Sequence, residues 1–197
     1  MKVLLAASLL LFSACCFSQE TYEDSLIRFI DNYRNTHEVV QGSDRQYLQF
    51  YPADQSSRVW ATFMKVENSQ WLPMKTSGLT SKMHRVYGIL RFTLHDTLCQ
   101  LNVYQSLNLL STTDYKNYLF LPFTDATTGV ETYSSGRYID LTIDDVKNSK
   151  VLIDFNKAYN PYCAYVSGKY NCPIPPGENS LTVAIRAGEK DFGKHLH

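Results

Sequence analysis

The sequence predicts a mainly β protein, a single-domain β-sandwich or small β-barrel carrying one N-terminal amphipathic helix. Three observations lead there. Runs of strand length with alternating apolar and polar residues recur between Tyr47 and Arg186, and turn-forming Thr, Asn, Pro and Gly residues punctuate them. The chain also holds fourteen tyrosines and ten phenylalanines against only nine glycines, which is the composition of a half-buried pleated surface.

The first eighteen residues stand apart. Lys2 precedes an unbroken apolar run from Val3 to Phe12, and small residues lead up to Gln19, so residues 1–18 read as a secretory signal peptide. The run reaches Ser13 too soon to span a bilayer, which takes about twenty apolar residues, and no transmembrane segment is expected elsewhere. Phe17-Ser18 before Gln19 suits an ordinary signal-peptidase cut, and this is the favoured route to a periplasmic or secreted, extracytoplasmic protein. Phe12-Ser13-Ala14-Cys15 offers the alternative of a lipid anchor on Cys15, although a lipoprotein signal usually has leucine where Phe12 stands.

Residues 19–40 are expected to form the helix and its connection. Thr21 can accept from a free N–H of the first turn, Glu23 and Asp24 lie near the positive end of the dipole, and Tyr22, Leu26, Phe29 or Ile30, and Tyr33 make an apolar stripe. The mostly β domain then covers 41–190, followed by a tail at 191–197. Short strands are expected at Tyr47–Tyr51, before Pro52, and at Arg58–Glu67. The clearest strand is Arg85–Leu94, where Val86, Gly88, Leu90, Phe92 and Leu94 alternate with Arg85, Tyr87, Ile89, Arg91 and Thr93. His95-Asp96-Thr97 connects it to Leu98–Tyr104 as a hairpin. Further strands are expected at Tyr118–Phe123, Arg137–Ile143, Val151–Phe155 and Leu181–Arg186.

Charge excludes one class of partner. Loss of residues 1–18 removes Lys2 and no acid, so 19 basic residues become 18 against 19 acidic ones. A net charge near −1, with no basic cluster, is not expected to bind nucleic acid or an anionic lipid surface. Glycine-rich phosphate loops, a serine nucleophile elbow and a paired-histidine zinc helix are all absent, so no cofactor is expected.

The polar chemistry concentrates in the C-terminal third. TTGVETYSSGRYIDL, DFNKAYNPYCAY, NCPIPPGEN and LTVAIRAGEK follow one another in the chain. Between about Tyr47 and Lys190 these strings closely resemble the family of domains of unknown function numbered 1684. The chain departs from that pattern at Pro161-Tyr162, where two prolines commonly precede the cysteine, and at Glu178-Asn179-Ser180. The resemblance implies a family without implying an activity, and it carries over no catalytic residue.

Asp154, Asn156, Tyr159 and Asn160 leave a strand at a bend that Pro161 enforces. Asn and Asp often make such bends by bonding their own backbone, and that plain structural role is the first reading. The functional reading is a polar pocket near residues 154–163, which Tyr133 and Arg137 join if their strand runs alongside. A small-molecule-binding module is the leading expectation. A hydrolase-like enzyme is the alternative, with Asp154 or Glu178 as base, Arg137 as electrostatic stabiliser and Asn156 or Asn160 positioning the substrate. A structural or partner-binding envelope protein is the third reading, and no pattern in the chain sets an oligomeric state.

Cys163 and Cys172 enclose eight residues including Gly168, and a disulfide is the favoured reading in an oxidising compartment. A Cys163 thiolate nucleophile is a weaker alternative. So is a metal site, because no histidine lies near these cysteines and zinc needs three or four ligands. His37, His84 and His95 are scattered singly, and Cys99 shares a face with Leu101 and Val103 as a small core residue.

Overall fold

A computed structural model describes residues 20–194. The signal peptide, the cut before Gln19, Cys15, and His195 and His197 of the tail lie outside the described residues. The fold is mainly β, one antiparallel sheet curled into a half-barrel, with few helices.

Thr21 caps helix α1 (Tyr22–Thr36): its hydroxyl accepts from the Asp24 N–H, and the Asp24 carboxylate accepts from the Thr21 N–H, both at 3.2 Å. The strands are β1 (Arg58–Lys65), β2 (Leu72–Met74), β3 (Lys82–Leu94), β4 (Thr97–Ser106), β5 (Tyr118–Phe123), β6 (Arg137–Thr142) and β7 (Lys150–Asp154). They pair in the order β6-β5-β4-β3-β1-β7, with β2 added to β3. Between β3 and β4, His95 (φ 47°) and Asp96 (φ 59°) both adopt left-handed geometry. That is the two-residue turn whose twist matches a hairpin, and it sets Leu94 opposite Thr97. Further along β3 the register slips between Val86 and Gly88, a bulge that bends the strand and helps the sheet curl. A Cβ on Gly88 would run into the Phe63 ring, so the bend needs glycine there.

The concave face holds the main core. Leu90, Phe92, Leu94, Leu101, Val103, Leu119, Leu121, Phe123, Ile139, Val151, Ile153 and Phe155 meet Leu181, Ile185 and Ala187 of the C-terminal segment. That segment differs from expectation, because Leu181–Arg186 is an irregular chain and not a strand. Its polar groups are taken by buried side chains. Arg137, fully buried, donates to the carbonyls of Ile185 (2.9 Å), Ala187 (2.5 Å) and Glu189 (3.2 Å), and the Asp125 carboxylate accepts from the Ile185 N–H at 2.7 Å. Arg137 and Asp125 pair at 3.4 Å with both side chains fully buried. Gly188 (φ 79°) makes the chain's turn possible, since a Cβ there would stand 2.6 Å from the Phe155 carbonyl.

Two smaller expectations also differ. Gly42–Tyr47 is a 3-10 turn, and the following segment contributes a lone bridge, Phe50 to Glu189, in place of a strand over Tyr47–Tyr51. Strand β2 went unforeseen because its three residues include Pro73, which only an edge strand tolerates.

Asp125→Ala would leave Arg137 buried without its counter-charge, and is expected to cost about 3–5 kcal/mol of stability. Urea unfolding measures this, and a loss below about 1 kcal/mol would show that the pair does not hold the C-terminal segment in place.

Candidate functional site

Strands β6 and β7 are consecutive in the chain, yet they do not form a ladder. They are the two ends of the sheet order. The segment after β7 comes back to β6 at a single bridge, where Tyr138 and Tyr159 exchange N–H to carbonyl bonds of 2.9 and 3.0 Å. Between the two edges lies a cleft of about 810 Å³, with α1 along its side. Its walls are the α1 residues Tyr22, Ser25, Phe29, Tyr33 and Thr36, then Arg58 and Trp60 of β1, Ile139 to Leu141 of β6, and Leu152 and Asp154 of β7.

Strand alternation explains which side chains face it. In β1 and β7, Ala61, Val151 and Ile153 point to the core, so the register pairs Arg58–Asp154 and Trp60–Leu152 share the outer face. In β6, Arg137, Ile139 and Leu141 are buried in the interior, which places Asp140 on the opposite face. Asp154 accepts from the Tyr22 hydroxyl at 2.9 Å, and its other carboxylate oxygen lies 3.6 Å from Arg58 Nε. The Arg58 guanidinium stacks 4.0 Å from the Tyr22 ring centre. Across the cleft, Tyr118 and Tyr159 both donate to one oxygen of Asp140, at 2.7 and 2.6 Å. Burial, followed by the neighbouring carboxylate, raises the pKa of Tyr22 and holds Tyr118 well above its usual value. Burial raises Tyr159 too, with Tyr118 and then Asp140 adding to it. All three phenols therefore remain neutral donors.

A second cluster anchors the helix below the cleft. Glu189, fully buried, accepts from Tyr165 (2.8 Å), Tyr33 (3.1 Å) and the Asn160 N–H (2.8 Å). Burial pushes its carboxyl up to about 7 against the lowering effect of these donors. His37, 6% exposed, accepts from the Val40 N–H at 2.9 Å through Nδ1 and packs edge-on against Tyr165. Its Nε2 has no protein partner, and burial followed by Arg45 lowers its pKa.

The expected pocket residues divide between several places. Asp154 and Tyr159 line the cleft. Asn156 is buried and bonds both the N–H (2.9 Å) and the carbonyl (2.8 Å) of Asp54, as a neighbouring strand would. Asn160 is buried beside Glu189 and donates to the Lys190 carbonyl at 2.7 Å. Arg137 is enclosed in the core. Tyr133 borders a separate hollow of about 290 Å³ with Gly129, Phe192 and Lys194, and Glu178 is exposed on the Gly177–Asn179 turn. Sequence reasoning missed Arg58, Trp60 and Asp140 as cleft residues, and Tyr118 as the residue that holds Asp140. The parity of their strands was the available signal for Arg58, Trp60 and Asp140.

Cys163 and Cys172 form a disulfide with Cα atoms 6.2 Å apart, and Cys99 is the free cysteine among the described residues. Ser77 fastens this loop to the rest of the chain, accepting from the Cys172 N–H at 3.1 Å. Among the described residues no cluster of His, Cys, Asp or Glu is arranged to hold a metal, and no helix is long and apolar enough to cross a membrane.

The fold and cleft define a class, a half-barrel whose two unpaired strand edges enclose a cleft of small-molecule size. Residues 44–190 match the family described as "Protein of unknown function (DUF1684)", and the chain belongs to that family. The solution NMR structure of the uncharacterized protein from gene locus rrnAC0354 of Haloarcula marismortui is similar in fold and sequence. It shares 29% identity at a TM-score of 0.66, over 88% of this chain and 96% of that one. No curated protein matches the chain.

Raising the Glu189 pKa makes the folded state bind a proton that the unfolded state has lost. The resulting stability is present in full below the ordinary glutamate range and is lost as pH rises through about 7, in total on the order of 3 kcal/mol. His37 acts with the opposite sign, because a lowered imidazole pKa loses stability as pH falls. Urea unfolding at pH 5 and pH 8 is expected to show the Glu189 loss in the wild type and its removal in Glu189→Gln; an unchanged difference in the variant would assign it elsewhere.

Proposed function

We propose that the protein is an exported small-molecule-binding module whose ligand occupies the cleft between β6, β7 and α1. The observation that carries this reading is the cleft itself. At about 810 Å³ it lies within the range of ligand sites, and its walls combine aromatic surface with a few fixed polar groups. The phenols of Tyr22, Tyr118 and Tyr159 are held by carboxylates, so Asp140 and Asp154 are oriented before any ligand arrives.

The binding reading is preferred to the hydrolase reading because the residues that reading needs do not converge. Asp154 faces the cleft, Arg137 spends its donors on core carbonyls, and Glu178 sits on an exposed turn. Export is supported by the apolar N-terminal run and by the Cys163–Cys172 bridge, which suits an oxidising compartment. We read the half-barrel as a barrel left open at one seam, with residues 19–40 and 41–190 acting as one unit, since Tyr22 and Tyr33 tie α1 to Asp154 and Glu189.

A small-metabolite library screened by native mass spectrometry is expected to yield a saturable ligand. Asp140→Asn and Arg58→Ala should each weaken it about tenfold, the equivalent of one charge-assisted hydrogen bond, with little change in melting temperature. Wild-type affinity in both variants would place the ligand outside the cleft.

A further inference from the structure

We infer that the cleft takes a neutral, hydroxyl-rich ligand with one apolar face, a saccharide, stacked on Trp60; this deepens the binding-module reading and rests on it. Trp60 is 66% exposed although it belongs to the cleft wall and has Leu152 opposite it across the strands. An indole held in this way by a strand is a flat apolar platform in water, and stacking on it releases that surface.

Two of the other rings already carry a cation. The Arg58 guanidinium sits 4.0 Å from the centre of the Tyr22 ring, and Lys157 Nζ lies 5.4 Å from that of Phe29. A cationic ligand would therefore meet ring faces occupied by the protein's own cations. Arg58, Lys147 and Lys157 would repel it, while Glu38, Asp140, Asp145 and Asp154 would repel an anion. With both signs present in near balance, a neutral ligand is favoured.

The remaining hydrogen-bonding capacity suits hydroxyls. Both phenols on Asp140 bond to the same oxygen, which leaves the other oxygen without a protein donor among the described residues. One oxygen of Asp154 takes the Asn156 N–H and side-chain amide, whereas the other receives only the longer 3.1 Å bond from Tyr22 and lies 3.6 Å from the enclosed Arg58 Nε. Adjacent hydroxyls, each able to donate and accept, satisfy a carboxylate and a guanidinium side by side.

The chain has two tryptophans, and the second, Trp71, lies outside the cleft against Arg85. In the Trp71→Phe protein Trp60 is the sole indole reporter. Glucose, N-acetylglucosamine and cellotetraose are titrated against it by fluorescence and calorimetry, beside decanoate, spermidine and trialanine. At least one saccharide is expected to shift Trp60 emission saturably, and Trp60→Ala, with an unchanged melting temperature, to weaken calorimetric binding at least about tenfold. If only decanoate, spermidine or trialanine binds and perturbs Trp60, the saccharide assignment falls while the binding module stands. If a saccharide binds with equal affinity in Trp60→Ala, the stacking platform is overturned. If none of the six binds up to about 10 mM, the weak end of single-site recognition, both readings fall.

Discussion

A guanidinium enclosed in the core stands where another strand would otherwise be. Arg137 gathers the carbonyls of Ile185, Ala187 and Glu189 and is balanced by Asp125. An extended segment can therefore fill the hollow of the curled sheet without pairing to it. A ladder would fix that segment at the strand spacing of about 4.8 Å beside a neighbour. A side chain reaching inward from β6 instead places it across the concave face, where Leu181, Ile185 and Ala187 complete the core. Removal of two charges from water is costly, and the closeness of Asp125, the carbonyl bonds and the Ile185 N–H bond to the carboxylate offset that cost.

The same device recurs with neutral groups. Asn156 supplies both halves of a peptide pairing to Asp54, and Asn179 does so for Asn102, accepting from its N–H at 2.9 Å and donating to its carbonyl at 2.8 Å. Side-chain amides join elements that the sheet order leaves apart. Helix α1 is attached on different terms, through phenols on carboxylates at its two ends, Tyr22 on Asp154 and Tyr33 on Glu189. Only Leu26 of the helix is buried, so these polar contacts carry much of its orientation over the cleft.

How far this was legible in the sequence followed the range of the forces involved. The β3–β4 hairpin was plain, because alternation and a two-residue turn are local, and β5 falls on the expected Tyr118–Phe123. Leu181–Arg186 read as a strand because its side chains suit one, and nothing in its own residues announces that Arg137, far back in the chain, will take its carbonyls. Asp154, Asn156, Tyr159 and Asn160 share a single bend, yet Asn156 and Asn160 are taken up by backbone groups distant in sequence. Asp140 was in view within GRYIDL, and its place follows from its parity with Arg137, Ile139 and Leu141. Glu189 gave no local signal, since its burial depends on Tyr33 and Tyr165 arriving from opposite ends of the chain.

The splayed pair of strands has a consequence for how the cleft changes over time. Its walls are the open edges of β6 and β7, fastened at one end by the Tyr138–Tyr159 bridge and at the other by the connection through residues 143–149. The side chains along those edges can vary without disturbing the frame that carries them, so the chemistry of the cleft can change over evolutionary time while its place in the fold stays the same.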